Sequence, residues 1–216
     1  MSEVSTQVTA EHFRYIAERT TGEDDFLRTL KHEASAAGIP SIWISPEQAS
    51  FMQILLEAAR ASRVLEIGTL AGYSAITMAR ALPKGGCVTT IELDPTRVDF
   101  ARRWVARSDV ADKVEVLQGK GMDVLPRLDA DSFDAAFLDA DKASYAAYLT
   151  ECRRLVKRGG LILVDNAFAF GQLLDPQPTD REVPTIRAFN DLMAQASDLR
   201  SIIVPIGDGL WVGVRR

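Results

Sequence analysis

Apolar positions along this chain gather into short runs, most of them closed at once by a glycine or an acidic side chain. Arg63–Ile67, Cys87–Leu93, Val114–Gln118, Asp134–Leu138 and Leu161–Val164 have the length and β-branched content of strands. Helical spacing fills most of the intervals. Before the first strand, Ser45-Pro46-Glu47-Gln48 opens a helix: Ser45 with Gln48 forms a capping box, and proline suits the first helical position. The expected apolar stripe of that helix is Phe51, Leu55, Ala58 and Ala59. After the turn Gly68–Ser74, Ala75–Leu82 reads as a helix, and Asp94-Pro95 caps another that runs to about Ser108. A further helix carries Tyr145, Tyr148 and Leu149, with Arg158-Gly159-Gly160 expected to end it. The chain finishes with two β-rich runs, Ser201–Pro205 and Leu210–Val214, joined by the hairpin signal Ile206-Gly207-Asp208-Gly209. Alternating strands and helices imply a parallel sheet. The expected fold is therefore α/β: one Rossmann-like, doubly wound sheet of about seven strands, mostly parallel, with an antiparallel C-terminal hairpin and helices on both faces.

Composition narrows the classes. With 216 residues, 47% of them hydrophobic and 25% charged, the chain has the size and make-up of one large domain. Within it, residues 1–45 read as an N-terminal helical extension and 172–184, with three prolines, as a pocket loop. Disorder is expected only in the first few residues. A net charge of −5 lacks the basic excess that drives nonspecific nucleic-acid binding. No apolar stretch approaches the ~18 residues of a membrane span, and the polar start lacks a secretory apolar region, so a cytoplasmic protein is expected. Cys87 and Cys152 are too far apart in sequence to form a close-spaced metal or redox pair and read as buried free thiols.

The chemistry gathers where strands end. Asp139 follows one apolar run and Asp165-Asn166 another, with Lys142 three residues beyond the first. In an open parallel sheet, ligands bind just past the carboxyl ends of the strands. Two adjacent strands ending in hard oxygen donors would therefore face one crevice, and such donors suit Mg²⁺ better than zinc. Glu66 and Gly68 close the first strand, and Glu92 closes the second, near the spacing of about 20 residues at which an acidic side chain holds a ribose hydroxyl. A nucleoside cofactor follows. Gly68-x-x-x-Gly72 lacks the three glycines of a dinucleotide fingerprint, and no P-loop lysine follows it. S-adenosylmethionine, which has no phosphate, fits better. Against these readings stand plainer ones: Asp139 and Asp141 as helix caps, Asp165-Asn166 as a turn, and the glycines as tight-turn residues. His12 and His32 lie away from the crevice and are read as solvated or capping. Trp43, Tyr145 and Tyr148 are read as packing residues.

Val64–Ser74, Leu138–Tyr145 and Val164–Asn166, in that order, resemble the cation-dependent O-methyltransferases, the family of caffeoyl-coenzyme A and catechol O-methyltransferases. The resemblance runs from Ile44-Ser-Pro-Glu47 through Ile186–Asn190 to the Pro205–Leu210 hairpin. It implies that Glu92 binds the ribose hydroxyls, that Ser74 and the Gly68-Thr69 backbone hold the methionine portion, and that Ile44 and Gly121 contact the cofactor from the rim. Glu66 and Asp139 complete the cofactor contacts. It further implies Asp139, Asp165 and Asn166 as ligands of Mg²⁺, or of Mn²⁺ or Ca²⁺, with Lys142 and Asp139 catalytic, a small phenolic acceptor, and a homodimer.

Such chemistry is physically coherent. A phenol of pKa about 10 is almost wholly protonated at neutral pH, so its conjugate base needs both a nearby dication and a group such as Lys142 to take the proton. Rival readings keep the fold but change the function: methylation of a hydroxylated tRNA uridine, a noncatalytic S-adenosylmethionine or nucleotide sensor, or a dehydrogenase. Members of the family often carry a tryptophan soon after the Asp-Asn pair. Here the stretch is Ala167-Phe-Ala-Phe-Gly171, so Phe168 or Phe170 is a candidate aromatic wall, and Trp211 either narrows the pocket or covers the sheet edge.

Overall fold

Strand, turn and helix follow one another as the apolar runs require in a computed structural model that describes residues 8–216. The N-terminal part supplies α1 (Ala10–Ala17), α2 (Asp25–Ala36) and α3 (Pro46–Ala58). Next come β1 (Arg63–Ile67), α4 (Tyr73–Arg80), β2 (Cys87–Glu92), α5 (Pro95–Arg107), β3 (Val114–Gln118) and the short α6 (Gly121–Val124). The second half holds β4 (Phe133–Leu138), α7 (Tyr145–Leu155), β5 (Val156–Val164), α8 (Val183–Ala194), β6 (Leu199–Val204) and β7 (Leu210–Arg215). The expectation of disorder in the first few residues falls on 1–7, outside the described residues.

One seven-stranded sheet has the order β3-β2-β1-β4-β5-β7-β6. Strands β1 to β5 pair in parallel, while β7 runs antiparallel to both β5 and β6. The α/β expectation, including the antiparallel ending, is the observed architecture. Because side chains alternate along a strand, the sheet divides its apolar residues between two cores. Val64, Ala135, Phe137 and Leu163 pack with α2 to α5 on one face. Leu65, Ile67, Ala136, Leu138 and Val164 pack with α7 and α8 on the other. The chain goes outward from β1 to β3 and then returns to place β4 on the opposite side of β1, so the crevice at the carboxyl ends of β1 and β4 is the switch point of the sheet.

Three local expectations need correction. Arg158-Gly159-Gly160 does not end α7; it lies within β5, where the register against β4 jumps between Phe133↔Val156 and Ala135↔Leu161. Gly159 has φ +82°, and a side chain on Gly160 would meet the Asp134 carbonyl, so the glycine pair makes a β-bulge. The buried face of α3 is Gln48, Ala49, Met52 and Leu56, with Ala58 and Ala59 exposed. Larger side chains remove more apolar surface from water, and Met52 and Leu56 win over the two alanines. The capping box is also only half made. Ser45 accepts from the Gln48 backbone N–H at 3.2 Å, but the Gln48 side chain points into the protein. Among the described residues no helix is long and apolar enough to cross a membrane.

Candidate active site

At the switch point lies a cleft of about 970 Å³, lined from β1, β2, β4 and the segment before α3. Its floor depends on one close approach. Gly68 has φ +103°, and a Cβ there would fall 1.9 Å from the Asp139 carbonyl oxygen, so only glycine lets the turn after β1 rest against the end of β4. The strand ends are stitched in sequence: Gly68 N–H donates to Ile91, Asp139 N–H to Ile67, and Asp165 N–H to Leu138, each at 3.0 Å. The backbone thus sets the acidic ends side by side.

Glu92, almost buried, lines the cleft beside Gly68, Thr69, Ser74, Ile44 and Gly121. Its carboxylate accepts the N–H groups of Leu70 at 2.9 Å and of Leu93 and Asp94 at 3.0 Å. A carboxylate has about four acceptor positions, so these three bonds fix its orientation and leave capacity for a ligand hydroxyl. Glu66 sits behind the cleft surface with no exposure. Thr90 donates to its Oε2, and Thr69 and Thr90 hydroxyls lie 2.6 Å apart. Its Oε1 has no hydrogen-bond partner, although the Ser74 hydroxyl is close enough to favour the charged form. Burial dominates and pushes the Glu66 carboxyl up to about 8.

The second cluster surrounds Lys142, whose side chain is 7% exposed. Its Nζ donates to Asp139 Oδ1 at 3.1 Å and to the Tyr145 hydroxyl at 2.7 Å. An ammonium has three donors, so one remains available. Asp165 is buried, and Gln48 Nε2 donates to its Oδ1 at 2.8 Å. Burial first, then the charge of Asp139, holds the Asp165 carboxyl well above the usual carboxylate range. Asn166, at φ +65°, lines the cleft and donates its Nδ2 to Asp208 Oδ2 at 3.1 Å.

Residues 17–216 match the sequence profile of the O-methyltransferase family. The catechol O-methyltransferase of Niastella koreensis is 38% identical over 208 residues, spanning 93% of this chain and 94% of that protein. The catechol O-methyltransferase of Mycobacterium tuberculosis is 37% identical over 193 residues, spanning 89% and 87%. The chain belongs to the O-methyltransferase family. A solved O-methyltransferase from Bacillus cereus, in complex with SAH, superposes with a TM-score of 0.85 at 32% identity over 94% of this chain and 96% of that one.

In this O-methyltransferase, most residues singled out from the sequence meet at one cleft. Ile44, Gly68, Thr69, Ser74, Glu92, Gly121, Asp139, Lys142 and Asn166 line it, while Glu66 and Asp165 stand just behind. The residues at the cleft have polar atoms suited to both implied groups. The buried Glu66 Oε1, without a hydrogen-bond partner behind the Ser74 side of the cleft, leaves one polar atom there unused. Asp139, Asp165, whose carboxyl the charge of Asp139 raises, and the Asn166 carboxamide offer hard oxygens of the kind a magnesium-like cation takes. Among the described residues there is no group of three or more His, Cys, Asp or Glu placed to hold a metal; the third donor of this set is an amide.

Trp43, Tyr145 and Tyr148 pack against the cores as expected, and each has a further contact. Tyr145 is buried against Phe189, yet its hydroxyl holds Lys142. Burial, then the charges of Asp139 and Asp165, push its phenol up, so it stays a neutral acceptor for the ammonium. Tyr148 donates to Asp141 at 2.7 Å and also reaches the cleft, as Trp43 does. Phe170, 41% exposed, stands at the cleft as the candidate wall, whereas Phe168 packs beneath Gly209. Trp211 is buried in the second core with its indole N–H on Asn190 and does not line the cleft. Nothing in the local spacing pointed to Gln48 or Asp208. His12 closes the cap of α1 with Thr9, and Cys152 is a buried free thiol, as expected, while Cys87 is only half-buried.

Proposed function

We infer that this O-methyltransferase moves the methyl group of S-adenosylmethionine to one hydroxyl of a small catechol-like aromatic, with a divalent cation, Mg²⁺ by its donor set, beside the acceptor. The observation that carries the reading is the buried Lys142 ammonium, held by Asp139 and Tyr145 beside Asn166 at the mouth of a cleft whose other end presents Glu92. The catechol O-methyltransferase relatives, 38% and 37% identical over most of their length, favour that acceptor class.

Each side chain has a task in this reading. Glu92 accepts ribose hydroxyls, Ser74 and the Gly68-Thr69 turn hold the amino-acid end, and Ile44 packs at the rim. S-adenosylmethionine would supply an electrophilic methyl group, and Asp139, Asp165 and Asn166 would hold the cation, whose positive charge would favour an ionised acceptor oxygen. To take the acceptor proton, Nζ of Lys142 must first release one of its own to solvent; Asp139 and Tyr145 keep the re-formed ammonium from swinging away. Phe170 offers a ring face to the planar acceptor. Much of the rate acceleration then comes from positioning.

Labelled S-adenosylmethionine, incubated with 1,2-dihydroxybenzene and 3,4-dihydroxybenzoate, should give a monomethyl ether whose formation stops on adding a chelator and returns with Mg²⁺. Replacing Lys142 with alanine should lower kcat by roughly 10²-fold or more, while calorimetry shows S-adenosylhomocysteine binding as before. Unchanged turnover by Lys142→Ala, or methyl transfer indifferent to chelator, would overturn the assignment.

A further inference from the structure

Asp165 and Asn166 are adjacent in sequence, and each is oriented by a side chain far from it in the chain. Asp208, in the turn between β6 and β7, receives three hydrogen bonds: from Asn166 Nδ2 at 3.1 Å, from Phe170 N–H at 2.8 Å and from Gly171 N–H at 3.2 Å. A carboxylate only accepts. The nitrogen of the Asn166 amide must therefore face Asp208, which leaves the carbonyl oxygen free of that contact. The same logic fixes Gln48: its nitrogen faces Asp165, and its oxygen is turned to Gly207, where a Cβ would come within 2.0 Å. Gln48 is 1% exposed and has no room to rotate. The turn also holds the loop backbone, since Ala167 N–H donates to Gly209 O and Phe168 N–H to Asp208 O, both at 2.8 Å. Asn166, Ala169 and Phe170 all have φ between +50° and +70°, a region non-glycine residues seldom enter. The contacts with Asp208 hold that run in place.

We propose that the β6–β7 turn is the positioning device of the acceptor end: Asp208 directly, and Gly207 through Gln48, set the orientations of Asn166 and Asp165, and Asp208 also places Phe170. Asp208 and Gln48 touch neither the cofactor end nor the acceptor in this arrangement; they act through the residues they hold. The inference rests on the cation reading given above, and partners of this kind typically change metal affinity or activity by about 10–100-fold when removed.

Two near-isosteric variants test it, Asp208→Leu and Gln48→Met, each saturated with S-adenosylhomocysteine and titrated with Mn²⁺ by calorimetry and electron paramagnetic resonance. The side-chain amide of Asn166 is followed by NMR in parallel. Both variants should bind S-adenosylhomocysteine as the unaltered chain does and bind Mn²⁺ roughly 10–100-fold more weakly, and in Asp208→Leu the Asn166 amide should lose its exchange protection. Should Asp208→Leu fail to fold, Gln48→Met, which alters α3 and leaves the turn sequence intact, carries the test. Mn²⁺ affinity equal to that of the unaltered chain, or a well-protected Asn166 amide in Asp208→Leu, overturns the positioning role alone. An unaltered chain that binds no Mn²⁺ overturns the cation reading together with it.

Discussion

Glu66 is fully buried, with one oxygen unpartnered and a carboxyl pushed from the ordinary 4.5 up to about 8, chiefly by loss of water. In the unfolded chain that group ionises near its ordinary value. Between about pH 4.5 and 8, then, the folded chain binds more protons than the unfolded one, and stability falls as pH rises across that window. At roughly 1.4 kcal/mol per pKa unit the fall amounts to a few kcal/mol. Asp165, also raised, adds to it. Glu66→Gln keeps the shape and removes the proton equilibrium, so its melting temperature should fall less between about pH 5 and pH 8 than that of the parent chain. Thermal unfolding at several pH values reads this directly; an unchanged slope would assign the dependence to other groups.

At the scale of elements, the turn between β1 and α4 is the least tolerant junction. Gly68 combines φ +103° with a Cβ position that overlaps the Asp139 carbonyl, so Gly68→Ala must push β1 away from β4 or twist the turn. Melting temperature should drop and S-adenosylhomocysteine affinity should fall at least tenfold, whereas an alanine at Gly38, open on all sides, should leave affinity unchanged. Binding by Gly68→Ala equal to that of the parent would show that the turn does not shape the cofactor end. This junction was legible in the sequence because glycine directly follows an apolar run, and so were the seven strands and the acidic side chains at their ends. Those signals are local. The Gln48 contact with Asp165 and the Asp208 contact with Asn166 join residues 117 and 42 positions apart, which no periodicity encodes. Tyr145 carried the helical apolar spacing of a core residue, and it is one; its hydroxyl also reaches Lys142, three positions away, a local contact that apolar spacing does not encode. Gly159-Gly160 was ambiguous in a different way, since glycine pairs serve helix ends and bulges alike.

For the molecule as a whole, the cleft is where the two apolar cores meet, because strands β1 and β4 carry both of them to a common edge. Its walls come from before α3, from the ends of β1, β2 and β4, and from the loop after β5. A ligand that bridges those walls opposes separation of the two halves of the sheet, and it binds only the folded chain. At a concentration about 100 times its dissociation constant, such a ligand adds about 2.7 kcal/mol to stability, which for a domain of this size corresponds to a rise of roughly 5–10 °C in melting temperature. S-adenosylhomocysteine should produce that rise by itself, and the same concentration of adenosine, which under the proposed roles would reach Glu92 but not the Ser74 end, should produce less. Equal shifts from the two would mean that the amino-acid end of the cleft contributes nothing to binding, and the assignment of Ser74 and the Gly68-Thr69 turn would fail with it.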